Sequence, residues 1–296
     1  MARAGLPLSP ARRVSSWLYA HAKARLALLL ATPLAWLVAI YIFALVALLV
    51  TAFWKVDSFT GAVHPAFSFS NIQALFRDQL YLNVTGRTLG IAALVTIVDL
   101  LVALPIAFFM SKIASSRAQR WLVISILMPL WASYLVKAYA WRSVLSNEGL
   151  LHWLLAPVGL DTPGYGLTAI IITQAYLWLP YVILPIYAGL EKVPNTLLEA
   201  SGDLGARTFQ TLIRVVFPML VPAIVAGSIF SFSLTLGDYI TVNIVGGANQ
   251  MLGNLVYTNV GAANNLPMAA AIAFIPILLM FGYLAAVRKT GALENL

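Results

Sequence analysis

The sequence predicts an all-α polytopic membrane protein with six transmembrane helices and both termini in the cytoplasm. Three observations carry this. Of the 296 residues 61% are hydrophobic and only 9% charged, against about 25% charged in an ordinary soluble domain. Long uncharged runs recur, each able to cross a hydrocarbon core that needs about 20 apolar residues. Of the 18 basic residues, 13 gather in the tails and alternate connections, as positive charge does on the cytoplasmic side of a membrane.

Taken in order, a basic tail over residues 1–25 precedes the first uncharged run, Leu26–Trp54. That run is longer than the core of a signal peptide and no small-residue cleavage site follows it, so it reads as a span. An extracytoplasmic loop occupies 55–82. The second span lies between Arg87 and Lys112 and is interrupted only by Asp99. The third begins after Arg120 and carries Pro129, Trp131 and Lys137 toward Arg142. The fourth fills the uncharged stretch from Asp161 to Glu191, and the fifth that from Arg214 to Asp238. Turn residues dominate the next stretch, in Gly246-Gly247-Ala248-Asn249 and Gly261-Ala262-Ala263-Asn264-Asn265, so the sixth span is placed at 268–287. The remainder, 288–296, is a cytoplasmic tail.

Orientation follows from the basic residues. Arg3, Arg12, Arg13, Lys23 and Arg25 lie before the first span, and Lys112, Arg117 and Arg120 lie in the second connection. Lys192, Arg207 and Arg214 lie in the fourth, and Arg288 and Lys289 follow the sixth span. All four groups fall on one side of a six-span chain. Prolines inside the spans (Pro33, Pro105, Pro129, Pro180, Pro185, Pro222 and Pro276) predict kinks, which neighbouring groups in a bundle can re-satisfy.

Composition also excludes. The net charge of +8 is spread over loops without a basic stripe, which argues against a nucleic-acid partner. The absence of cysteine removes disulfides, thiolate metal sites and cysteine nucleophiles. No Gly-Lys dipeptide exists to build a phosphate-binding loop, and His21, His64 and His152 are too scattered to predict a metal centre. The chain is expected to bind no cofactor and to be no enzyme by itself.

The fourth connection, 191–217, is the most informative segment. Pro194 suits a helix start, Leu197, Leu198 and Leu204 recur at helical spacing, and Gly205 can end that helix in a left-handed turn. A second pattern follows, with Phe209, Leu212, Ile213 and Val216. Two short helices bent at a glycine would project as a cytoplasmic knob.

Glu199-Ala200-Ser201, three residues, Gly205, nine residues and Val215-Val216-Phe217-Pro218 resemble the Glu-Ala-Ala loop of bacterial ABC importer permeases. The family pattern has Ala, Ile and Leu where this chain has Ser201, Val215 and Phe217, all mild departures. The resemblance covers 83–287 and implies a transmembrane domain of helices 2–6. It also implies that Glu199, Ala200, Ser201, Gly205, Val215, Phe217 and Pro218 form the coupling element between helices 4 and 5. The partners it implies are a cytoplasmic ATPase dimer that uses ATP and Mg, a second and related permease, and an extracytoplasmic binding protein touching the outer loops at 56–83 and 239–267. Two further segments are similar to the spermidine/putrescine branch: Met128-Pro-Leu-Trp-Ala-Ser-Tyr-Leu-Val-Lys-Ala-Tyr-Ala-Trp141 and Gly237-Asp-Tyr-Ile-Thr-Val-Asn-Ile-Val-Gly-Gly247. Permeases for ferric iron or phosphonate share parts of both.

A polyamine is a flexible polycation, so carboxylates and aromatic faces suit it. Asp99, costly in mid-span at about 2.5–3.5 kcal/mol, and Asp238 beside Tyr239 are the candidate pathway carboxylates, alongside Trp131, Tyr134 and Lys137. Lys137 is also the expected ion-pair partner of Asp99. Tyr139, Trp141, Trp178 and Tyr181 are further candidates for a cavity lining. The rival class, an ion-coupled carrier, commonly shows inverted repeats; no repeat is evident between the halves, and a carrier has no need of the knob.

Overall fold

The computed structural model describes residues 19–57 and 60–288. Arg3, Arg12, Arg13 and Lys289, on which part of the charge argument rests, lie outside those residues, as do most of the two predicted tails. The described residues form two compact units divided after Thr51. In the first unit, Ala22–Trp36 (α1), a π-helical turn over Leu37–Ile42 and Phe43–Thr51 (α2) run on as one rod. From Arg25 to Thr51 it is long and apolar enough to cross a bilayer.

The second unit opens with a short hairpin, Lys55–Val56 (β1) against Val63–His64 (β2), and the helix Ser70–Arg77 (α3). These occupy the predicted 55–82 loop. Gln79–Phe108 (α4) then runs on through a π turn to Ile113, capped at its start by Asp78, whose carboxylate accepts from Leu80 N at 2.8 Å. Leu167–Glu191 (α8) and Leu266–Arg288 (α14) are the fourth and sixth spans, close to their predicted limits. Between α3 and α8 lie Ser116–Trp131 (α5), Tyr134–Val144 (α6) and Leu150–Leu155 (α7). Asn195–Asp203 (α9), Thr208–Thr211 (α10), Phe217–Gly237 (α11), Ile240–Val245 (α12) and Leu252–Val260 (α13) complete the chain order up to α14.

The centre of this unit is the packing of α4, α8 and α11. Lipid is as apolar as leucine, so helices associate in a membrane through close backbone approach and polar contacts. Gly189 of α8 shows the approach: a Cβ there would lie 2.5 Å from the Cβ of Ala223 on α11. Below it Ala103, Ala107, Met110, Ile186, Leu190 and Leu220 make a buried apolar cluster.

Three expectations are corrected. The third span is not one helix: α5 and α6 meet at a bend of 96°. Ala132, three residues after Pro129, is extended, and α6 is held across the bundle by Arg142, which donates to the carbonyl of Ile244 at 3.0 Å. Secondly, the fifth span begins well before Arg214. From Thr208 to Gly237 the chain is one helical run, with a π turn at Leu212–Val216 leading into Pro218, so the second half of the predicted knob is the end of the span itself. Proline removes a backbone donor, and such a turn absorbs the lost hydrogen bond. Thirdly, the stretch 239–267 is not an open outer loop: α12 and α13 fold inward, burying Val245, Met251 and Leu252.

Candidate functional site: a knob and a buried polar network

The knob is built on a left-handed turn. Gly205 has φ +79°, a conformation that costs an L residue with a side chain about 1–2 kcal/mol. The turn closes through Gly205 N to Gly202 O at 2.8 Å and Ala206 N to Ser201 O at 3.0 Å. Arg207 then starts α10, its N–H donating to Gln210 Oε1 at 3.0 Å. Ser201, where the family pattern has alanine, ties the two arms together, its hydroxyl 2.8 Å from that of Thr211.

One face of this element points into the protein. Leu198 and Leu212 pack with the buried Val216 onto the apolar cluster between α4 and α8. The other face is open. Leu204 is 88% and Phe209 71% exposed, and Glu199 and Ala200 are exposed on the same element; Phe217, at the start of α11, is half exposed. Val215 is half-buried and Pro218 is exposed at the start of α11. Exposed apolar side chains flanking a carboxylate on a rigid turn are suited to seating in a partner's cleft.

The second arrangement lies inside the bundle. Asp238, only 7% exposed, ends α11 and gathers three donors. Tyr134 Oη donates to its Oδ1 at 2.6 Å, Thr241 N to the same oxygen at 3.1 Å, and Gln174 Nε2 to Oδ2 at 2.9 Å. The network therefore joins the first residue of α6, the middle of α8, the end of α11 and the start of α12. Tyr134 also stacks on the buried Trp178, ring centroids 5.8 Å apart at 10°.

Asp99, 1% exposed, accepts from Ser231 Oγ at 2.6 Å and its Oδ1 has no protein partner. The expected Asp99–Lys137 pair is not formed. Lys137 sits half-buried on α6, beyond the bend that turns this segment away from the line of α5. Of the other sequence candidates, Tyr239 stacks on Tyr257 at 4.7 Å, and Trp141 packs on Tyr176 at 5.3 Å. Tyr181 lies between Trp178 and Phe230. Trp131 is 87% exposed at the bend and Tyr139 is exposed on α6. Gln174, Thr241 and Ser231 escaped sequence reasoning. Gln174 alone offered a signal, as an amide in mid-span that must find a partner.

Comparison with known proteins places the architecture. Residues 4–288 match the family described as "Binding-protein-dependent transport system inner membrane component". The chain is 40% identical to the inner membrane ABC transporter permease protein YdcU of Escherichia coli K12, over 97% of this chain and 98% of that one. It is 34% identical to the spermidine/putrescine transport system permease protein PotB of Haemophilus influenzae, over 73% of this chain and 78% of that one. In fold it is similar to a chain of a bacterial ABC transporter involved in the import of the acidic polysaccharide alginate (TM-score 0.69, 16% identity, 94% of this chain and 99% of that chain). It is also similar to a chain of the MetNI methionine ABC transporter (TM-score 0.55, 18% identity, 72% of this chain and 95% of that chain). With its bent and straight spans, its knob and these likenesses together, the chain belongs to the family of binding-protein-dependent inner-membrane transport components, as a permease subunit of an ABC importer.

Proposed function

We propose that this permease passes a small polycation of the putrescine or spermidine class, delivered by an extracytoplasmic binding protein. A second, related permease completes the pathway, and a cytoplasmic ATPase dimer, which holds the ATP and Mg, seats on the knobs. The termini and the knob then face the cytoplasm, where Lys112, Arg117, Arg120, Lys192, Arg207 and Arg214 cluster in the connections on the knob's side. The observation that carries the coupling role is the open face of the knob: Glu199 and the exposed Leu204 and Phe209 on a turn whose other face is rooted in the bundle. Closure of the ATPases on that face would tilt α8 and the long helical run from Thr208 to Gly237, which are covalently continuous with it.

The polycation reading is supported by the similarity to PotB and by the two segments, 128–141 and 237–247, that meet in the structure through Tyr134 and Asp238. In this reading Asp99 and Asp238 act from behind the pathway wall. Both are buried, so their contribution to a passing cation is through a field projected across low-dielectric protein, while Trp131 and Tyr139 offer exposed aromatic faces.

The test is ATP hydrolysis by the complex in lipid nanodiscs, with the binding protein empty or loaded with putrescine, spermidine or an unrelated solute. Stimulation by a polyamine-loaded form supports both halves of the proposal. Stimulation only by ferric iron, phosphonate or another solute overturns the polycation half and leaves the coupling half standing. If no ATPase associates with the chain, the coupling half falls.

A further inference from the structure

The elbow between the second and third spans grips the root of the knob. Lys112, on the π turn that ends the α4 run, extends Nζ to the carbonyl of Val193 at 2.8 Å and to Asn195 Oδ1 at 3.2 Å. One residue earlier, Ser111 Oγ donates to Glu191 Oε1 at 2.7 Å. That same oxygen receives Gln119 Nε2 from the first turn of α5 at 3.2 Å, and Gln119 also donates to Tyr187 Oη at 2.5 Å. Glu191 and Asn195 flank the short stretch where α8 gives way to α9, so the contacts of Ser111, Lys112 and Gln119 with Glu191, Val193 and Asn195 converge on the hinge of the knob from a segment more than seventy positions earlier in the chain.

The chemistry distinguishes this from ordinary packing. A helix end leaves carbonyls without intrahelical partners, and the ammonium of Lys112 takes up one at the turn after α8. A hydrogen bond from a charged donor is stronger than a neutral one. The apolar cluster around Met110 and Leu190 holds the helices together through contacts that are non-directional.

We infer that Lys112, Ser111 and Gln119 form a clamp that makes the second-to-third-span elbow move with the knob as one body. The knob is covalently joined only to α8 and to the fifth span. The clamp gives it a further output, to α4 and α5, so that ATPase closure displaces four spans of the subunit together. The inference rests on the coupling reading of the knob, and Lys112 is a positioning residue in it.

The test uses the complete transporter in proteoliposomes, with radiolabelled putrescine or whichever solute stimulates the unaltered complex. Lys112→Met should retain the ATPase and its basal hydrolysis while uptake per ATP hydrolysed falls about tenfold, and Lys112→Arg, which keeps charge and donors, should recover it. The chain contains no cysteine, so the pair Ser111→Cys and Glu191→Cys introduces its only thiols. It should show low uptake that returns when a short bifunctional thiol reagent links the two sites. Normal uptake per ATP in Lys112→Met overturns the clamp. So does a linked pair that hydrolyses ATP without transport, because it would show that elbow and knob must separate. If Lys112→Met does not assemble, the cysteine pair decides by the same two outcomes. Loss of ATPase from the unaltered chain would instead mark failure of the coupling reading.

Discussion

Asp238 and Gln174, on different spans, meet with the carboxylate 2.9 Å from the amide nitrogen, both almost wholly buried. Around that contact the bent third span is fixed to the end of the fifth. Asp238 touches α6, α8 and α12 together.

Asp238→Ala is expected to lower the melting temperature of the purified complex markedly. It strands two buried donors, Gln174 Nε2 and Thr241 N, while Tyr134 Oη keeps Thr241 Oγ1 within reach; an unsatisfied buried group costs about 1–3 kcal/mol, although hydrogen bonds within membranes average nearer about 0.6 kcal/mol because the unfolded chain also finds partners. The first figure applies, because the alanine removes one partner and leaves the others in place. Asp238→Asn should be mild, since Gln174 Oε1 is without a partner and the amide can rotate to accept from the new side chain. Equal melting of the two variants would mean that the network does not hold the bend.

Asp99→Asn tests charge separately from shape. It keeps an acceptor for Ser231 Oγ, now 2.6 Å away, so assembly and melting should match the unaltered complex. Polyamine uptake should fall, as it should in Asp238→Asn. If both variants transport normally, neither carboxylate assists a passing cation.

At the knob, Gly205→Val should sharply reduce co-purification of the ATPase. Space is open around a Cβ at Gly205, but φ is +79°, so the penalty is conformational, about 1–2 kcal/mol, and it is relieved only by distorting the turn. Gly202→Ala, with open space and ordinary helical backbone, should leave docking unchanged or firmer. Glu199→Lys, fully on the surface, should leave melting unchanged and uncouple hydrolysis from uptake. A Gly205→Val complex that docks and transports normally would remove the turn from the mechanism.

Gly189→Val should separate α8 from α11. Its Cβ would meet that of Ala223 at 2.5 Å and the Leu220 side chain at 3.3 Å, an overpacking that costs about 1–3 kcal/mol. Gly90→Ala, with nothing within 4 Å of the new Cβ, is the control. Loss of thermal stability confined to Gly189→Val would confirm the close crossing, and equal melting would refute it.

The long apolar spans and the position of the knob were legible in the sequence because both are properties of continuous segments. A helix in lipid must satisfy its own backbone, so an apolar run of sufficient length has few alternatives, and Gly205 followed by a second apolar pattern marks a turn by local chemistry. What the tertiary structure alone decided is which residues meet. The spans are apolar on nearly every face, so no periodicity says which side of α4 turns toward Ser231 or which side of α8 carries Gln174 to Asp238. The Asp99–Lys137 pairing failed for that reason: it depended on the course of α6 after Trp131, and the 96° bend takes Lys137 out of line. The inward folding of α12 and α13, read from their glycines and asparagines as open loop, depends likewise on partners far away in the chain, among them Thr88, which accepts from Leu252 N at 3.0 Å. Segment composition fixes what must enter the membrane; rotation and bending of one helix against another fix the contacts, and those are set only when all the helices are packed.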